Sequence, residues 1–388
     1  MTTLDNLRAM RQTAAPILDG LLAHLDPRIA RDGRRAWLPY GALPPLPRLP
    51  VSADTPPSSR LTCDVALGYL TGYLESGRAD RLDTGLSLLR HAFTRQAPQG
   101  HFVWNYGQHE IDQVDLGTVL DTYYWYWTLV PDLPHDVRAG IQRSTERAIA
   151  YLKTMEQPSH PGIIQKRAGD PEHPEDRRTA DYTKIDVLNG NALAATAFCR
   201  AATILGQPDL ADRAAAFEAN MVASFGRHVP GWWVYIEWLG TREVHTPETL
   251  FYQAMTALYL EPLYRARPTE ALGRVLAESL RTLEPLVNAE GDLDWSRESR
   301  KDFQDTQVLM LPSAAAALHD VYDLTAAGRR RLERVARTMV DRPTGLLRDA
   351  VGERRHGEIS DELRQIWGVS DLALIVLYAR RADHDASA

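Results

Sequence analysis

The chain has 388 residues, 44% hydrophobic and 24% charged, with 44 Lys+Arg against 51 Asp+Glu. This is globular composition with apolar material for a large core, and it excludes a disordered or fibrous chain. A formal charge of −7 offers no phosphate-seeking field, so no nucleic-acid partner is expected. No apolar run approaches the roughly 20 residues that span a bilayer, and no export signal is visible, so a cytoplasmic protein without a membrane partner is expected. Two cysteines, Cys63 and Cys199, build neither a disulfide framework nor a four-cysteine zinc site and read as small buried hydrophobes. The chain shows no HExxH zinc motif, Gly-rich phosphate loop or dinucleotide fingerprint, so neither a metal nor a cofactor is expected.

Apolar residues recur at helical spacing along almost the whole chain. In chain order the periodic segments lie near 5–25, 62–76, 80–96, 112–130, 135–156, 186–206, 208–225, 244–266, 268–288, 302–323, 325–341 and 361–381. Residues 26–61 lack this period and hold eight prolines, seven of them from Pro39 to Pro57, which reads as an ordered arm.

The links alternate in length. Short ones carry turn signals, such as Ser76-Gly77 and the stretch from Pro131 to Pro134, while long ones follow the segments ending near 96, 156, 225, 288 and 341. Helices after the long links recur at steps of mostly about 58 residues, the signature of a repeated helical hairpin. Six such hairpins close a ring. The pattern predicts an all-α (α/α)6 toroid, residues 1–388 forming one unit with short β-hairpin-like rim loops. Those loops are expected at Gly100, Gly231, Gly291 and Gly345, each followed by alternating apolar or aromatic residues.

Antiparallel alternation puts every long loop at one rim, with the starts of the inner helices facing it. Asp112, Asp115, Asp186, His245, Asp302 and Asp305 fall at those starts, with Tyr182 and Asn189 beside them. Acidic and hydroxyl residues also favour helix N-termini as caps, so any single one of these acids has a structural account. The set taken together points to general acid–base chemistry. Asp112 and Asp115, like Asp302 and Asp305, are i, i+3 pairs, and carboxylates that close push their pKa values apart. The loops add Trp104, Tyr106, Trp232, Trp233, Tyr235, Trp238 and Trp295, aromatics suited to stacking on sugar rings or a polycyclic substrate.

On these residues the chain resembles the six-hairpin glycosidase-like enzymes and the related polysaccharide lyases and epimerases. The resemblance implies a small-molecule or oligosaccharide substrate, acid–base work by Asp112, Asp115, Asp186, Asp302 or Asp305, and sugar platforms at Trp104, Trp232, Trp233 and Trp295. In a lyase, Tyr182 or His245 would serve as base, with Asn189 or an arginine facing a uronate. A second resemblance, to the terpenoid-cyclase toroids, rests on the stretch from Asp302 to Thr306, where Gln304 replaces the middle acid of the Asp-x-Asp-Asp-Thr motif. It implies an Asp general acid in an aromatic-lined cavity. A helical-repeat scaffold without catalysis is the third reading.

Overall fold

The computed structural model describes residues 1–38, 59–102, 110–165, 167–169, 180–298, 309–341, 343–347 and 361–387. The helices are α1 (Thr3–Leu25), α2 (Ser59–Ser76), α3 (Ala79–Thr94), α4 (Gln113–Leu129), α5 (His135–Thr154) and α6 (Leu188–Leu205). They continue as α7 (Pro208–Arg213), α8 (Ala215–Ser224), α9 (Leu250–Ala266), α10 (Glu270–Leu283), α11 (Met310–Ala317), α12 (Thr325–Thr338) and α13 (Asp361–Asp385).

Two classes of helix follow from their sequences. Along α10 the buried residues are Leu272, Val275, Leu276, Ser279, Leu280 and Leu283, one stripe of an amphipathic rod. Along α6 burial runs almost unbroken from Leu188 to Ala201, and along α4 from Gln113 to Tyr123, as expected of rods enclosed on all sides. The enclosed helices pack in a closed cycle, α2 on α4, α4 on α6, α6 on α9, α9 on α11, α11 on α13, and α13 back on α2. Helices α1, α3, α5, α7–α8, α10 and α12 surround them. The fold is an (α/α)6 toroid. Among the described residues no helix is long and apolar enough to cross a membrane.

The outer helices are linked to one another by a repeated turn at the loop-bearing end. Isolated bridges pair Gln96 with Phe102, Glu156 with Ile164, Val287 with Leu293 and Val340 with Leu347, each just after an outer helix. The glycine inside each turn lies against the next outer helix in the ring. A Cβ on Gly100 would meet the Arg147 carbonyl of α5 at 2.1 Å, and one on Gly291 the Arg330 carbonyl of α12 at 2.2 Å. After α1 the same place is taken by a hairpin of β1 (Ala30–Asp32) and β2 (Arg35–Trp37), whose Trp37 stacks on His91 of α3 at 5.0 Å. Gly291 has φ +87°, so a side chain there meets both backbone strain and a carbonyl. Gly291→Ala is expected to cost about 2 kcal/mol or more of unfolding free energy, measured by denaturant titration. A loss within error would show that the turn is not a latch.

Several boundaries differ from the periodicity. The segment near 208–225 breaks at Ala214, whose N–H bonds back within α7 as α8 begins. Only Met310–Ala317 of the segment near 302–323 is described as helix, its start lying outside the described residues. The segments near 186 and 244 open as strands. β5 (Ile185–Val187), β6 (Ile236–Trp238) and β7 (Val244–Thr246) form an antiparallel sheet, so α6 begins at Leu188 and α9 at Leu250. Three-residue strands are too short to show a period of two against a helical background. A further pair, β3 (Glu110–Asp112) with β4 (Arg167–Gly169), ties the loop before α4 to the one before α6.

Candidate active site

Helices α2, α4 and α13 bring three carboxyls and a guanidinium together inside the ring. Arg60 and Asp64 are one turn apart on α2, with Nε 3.8 Å from Asp64 Oδ2. Arg60 Nη1 lies 3.9 Å from Oδ1 of Asp115, in the first turn of α4. Both distances suit ion pairing but exceed hydrogen-bond length. Asp371 of α13 completes the group; its charge couples to Asp64 and Arg60, and all three acids are buried.

Burial sets the protonation states. It pushes the Asp371 carboxyl up to about 8, the neighbouring Asp64 charge adding to the rise and Arg60 partly offsetting it. Burial also lifts Asp64, to about 6, against the pull of Arg60 and a hydrogen bond with Ser370. At neutral pH Asp371 therefore holds its proton while Asp64 is largely ionised. A carboxylic acid and a carboxylate kept apart in pKa are the two partners of acid–base catalysis.

Around this cluster single polar atoms remain without a hydrogen bond. Among the described residues Asp64 Oδ2 and Asn189 Oδ1 accept no hydrogen bond, and the buried Trp367 Nε1 donates none. Trp367 precedes Asp371 by four residues, so both lie on one face of α13, with the indole one turn nearer the loop-bearing end. Asn189, in the first turn of α6, donates from Nδ2 to Met255 Sδ at 3.6 Å. Buried polar atoms without partners are costly to keep, which is tolerable where a ligand satisfies them.

The sequence-predicted residues separate into three groups. Asp115 joins the cluster and Asn189 begins the neighbouring inner helix. Trp104, Tyr106, Asp302 and Asp305 lie outside the described residues, and Asp112 is placed only by its backbone pairing with Arg167. The terpenoid-cyclase stretch from Asp302 to Thr306 also falls outside them.

The rest are positioned differently from expectation. Asp186 does not start a helix but sits fully buried in β5, accepting from Asn191 at 2.5 Å, Arg242 at 2.9 Å and Asn220 at 3.1 Å. Arg242 also pairs with the buried Glu237 at 2.8 Å, so Asp186 belongs to an ionic network under the sheet. His245 lies exposed on β7, edge-on to Trp238 at 4.5 Å. Trp232 and Trp233 are 5% and 2% exposed and pack into the core, leaving no face for a sugar. Trp233 donates to the Met221 carbonyl at 2.9 Å and meets Phe225 in a T-shaped contact. Tyr235 stacks on Tyr252 at 4.0 Å, Tyr182 packs on the small cluster of Ile185, Val187 and Ile236, and Trp295 is half-buried against the core.

Arg60, Asp64, Trp367 and Asp371 lie outside the sequence-predicted set, which draws on the starts of the helices after the long loops and on loop aromatics, while Asp64, Trp367 and Asp371 lie within helices. Their signal was nonetheless present. Asp64 and Asp371 interrupt the apolar stretches 61–70 and 366–379, where capping cannot explain an acid.

No protein-family model matches the sequence, and no curated protein matches it. Solved structures do. The unsaturated glucuronyl hydrolase of Bacillus sp. GL1 superposes with TM-score 0.65 at 14% identity, over 96% of this chain and 97% of that one. A D-mannose isomerase gives 0.66 at 12% identity, over 94% and 97%. The α-1,6-mannanase GH76A of Salegentibacter sp. HEL1_6 gives 0.64 at 12% identity, over 94% and 99%. The shared fold is the (α/α)6 toroid.

Proposed function

We propose that this chain is a carbohydrate-active enzyme, a glycoside hydrolase working through the carboxyls of the inner ring. The observation that carries the reading is the buried carboxyl group of the inner ring, in which Arg60 of α2 lies 3.8 Å from Asp64 and 3.9 Å from Asp115 and Asp371 of α13 faces the Asp64 and Arg60 charges. Glycoside hydrolysis needs one carboxylic acid to protonate the leaving oxygen and one carboxylate to activate water or attack the sugar. Asp371 takes the first role; Asp64 or Asp115 takes the second. Arg60 keeps the carboxylate side ionised by its charge. Trp367 offers a flat surface one turn nearer the loops, suited to the apolar face of a pyranose.

The structural neighbours support a saccharide substrate, since they include a glucuronyl hydrolase captured with an oligosaccharide and an α-1,6-mannanase captured with α-1,6-mannotetrose. Hydrolysis is favoured over β-elimination because Tyr182 and His245, the bases that elimination would draw on, belong to the β5–β6–β7 region rather than to the Asp371 cluster. The same cluster argues for carboxyl chemistry over a passive scaffold, which gains nothing from burying acids that lower its stability.

The test is a panel of neutral and uronate-containing oligosaccharides, followed by reducing-end release and ultraviolet absorbance. New reducing ends without a new unsaturated product are expected for at least one member. Appearance of an unsaturated product would replace hydrolysis by elimination, and turnover of a polyprenyl substrate alone would overturn the carbohydrate reading.

A further inference from the structure

A second concave surface, at the loop-bearing end, shares no lining residue with the carboxyl cluster. Among the described residues the exposed large apolar side chains are Met1, Val244 and Trp238, and the last two share the β6–β7 hairpin. Trp238 opens into a groove of about 570 Å³ whose other walls include Gln157, Ser159, His160, Lys184 and Glu243. That volume lies within the range of small-ligand sites. The lining combines the flat Trp238 indole and Leu239 with amide, hydroxyl, imidazole, ammonium and carboxylate groups. Apolar protein partners need a broader apolar face, whereas a pyranose presents a C–H face framed by hydroxyls, which matches this layout.

The backbone that carries the indole is also held in place. Trp238 pairs with Ile185 in the sheet, its N–H donates to the Glu243 carbonyl at 2.9 Å, and its own carbonyl accepts from Arg242 N–H at 2.7 Å. His245 meets its ring edge-on at 4.5 Å. The turn below is fixed by Arg242, a non-glycine residue at φ +58° whose guanidinium reaches Asp186, Glu237, Asn220 and Ser224. A strained backbone locked by a buried ionic network costs stability, and here it presents a rigid aromatic surface to solvent.

We infer that the Trp238 groove is an accessory oligosaccharide-binding site, in which one pyranose ring stacks on the indole and the groove's polar walls bind its hydroxyls. This rests on the saccharide reading above but not on the assignment of Asp371. The experiment uses the full chain with 15N-labelled indoles; Trp238→Ala identifies the Trp238 resonance among the nine tryptophans by its disappearance. Cellotriose, α-1,6-mannotriose and trigalacturonate are titrated separately. At least one is expected to shift the Trp238 resonance saturably, with an affinity lowered at least about tenfold in Trp238→Ala and partly retained in Trp238→Phe. A Trp238 resonance unmoved by all three, or an unchanged affinity in Trp238→Ala, overturns the site. A saturable Trp238 shift in a chain that turns over no saccharide would remove the catalytic proposal and leave this one standing. Turnover with a silent Trp238 would do the reverse.

Discussion

Asp371→Asn is expected to lower kcat at least about 10²-fold, the lower range for a lost general acid, while raising the melting temperature above neutral pH. Two opposite effects follow from one physical cause. In the folded chain the Asp371 carboxyl titrates at about 8, against roughly 3.9 in an unfolded chain. Between those values the native state binds more protons than the unfolded state, so stability falls as pH rises and levels off once the folded group ionises. Asparagine cannot ionise, so the variant escapes this loss, and its advantage is largest above pH 8.

The wild-type pH–rate profile reports the same pair. Activity needs Asp371 protonated and a partner carboxylate ionised; with Asp64 as that partner, kcat/KM rises through about pH 6 and falls through about pH 8. The two apparent values belong to the coupled cluster. Steady-state kinetics and thermal melts from acid to alkaline pH, on wild type and Asp371→Asn, provide the check. Wild-type kcat in the variant would reduce Asp371 to a structural acid.

The second large effect concerns the far half of the ring. Arg200 of α6 donates to Asp121 of α4 at 2.7 Å, lies 3.9 Å from Glu261 of α9 and covers the Tyr124 ring at 3.7 Å. Burial alone would raise the Glu261 carboxyl, but Arg381, Arg200 and Arg265 outweigh it and hold it below the usual range. Tyr378 of α13 adds a hydrogen bond to Glu261 at 3.3 Å. Four inner helices thus meet on one ionic knot. Arg200→Met leaves Asp121 buried with, among the described residues, only the Trp125 indole donating to it, at 3.3 Å. The expected loss is about 3–5 kcal/mol, the cost of stranding a buried charge.

Exchanging both partners, Arg200→Met with Asp121→Leu, is expected to recover most of that loss, because an apolar pair needs no compensation. Denaturant unfolding of the single and double variants measures both. A single-variant cost below about 1 kcal/mol would show that the knot is solvated and dispensable. Well below its melting point, Arg200→Met should keep a near-native kcat, which separates this structural knot from the Asp64–Asp371 cluster.

Much of the architecture was legible because helical periodicity is local. One stripe along α10 and burial all round along α6 can each be read from a single segment, and alternating link lengths then order them as hairpins. The glycine turns are legible for the same reason, except the one at Gly162, inside the Glu156–Ile164 bridge, which is not among the expected loops. At the site, Asp115 was found by its place at the start of α4. Asp64 and Asp371 were not, since an acid within a helix acquires meaning only once that helix is known to be enclosed. Trp232, Trp233 and Trp238 show the same limit, because loop composition does not tell a buried indole from an exposed one.

By itself, then, the sequence determined the helices, their pairing and the end at which the loops gather, since these depend on residues a few positions apart. The tertiary structure decided which polar groups meet. Asp64 and Asp371 are more than 300 residues apart in the chain, and they become neighbours only when α13 closes on α2. The desolvation that keeps Asp371 protonated is likewise a property of that closure.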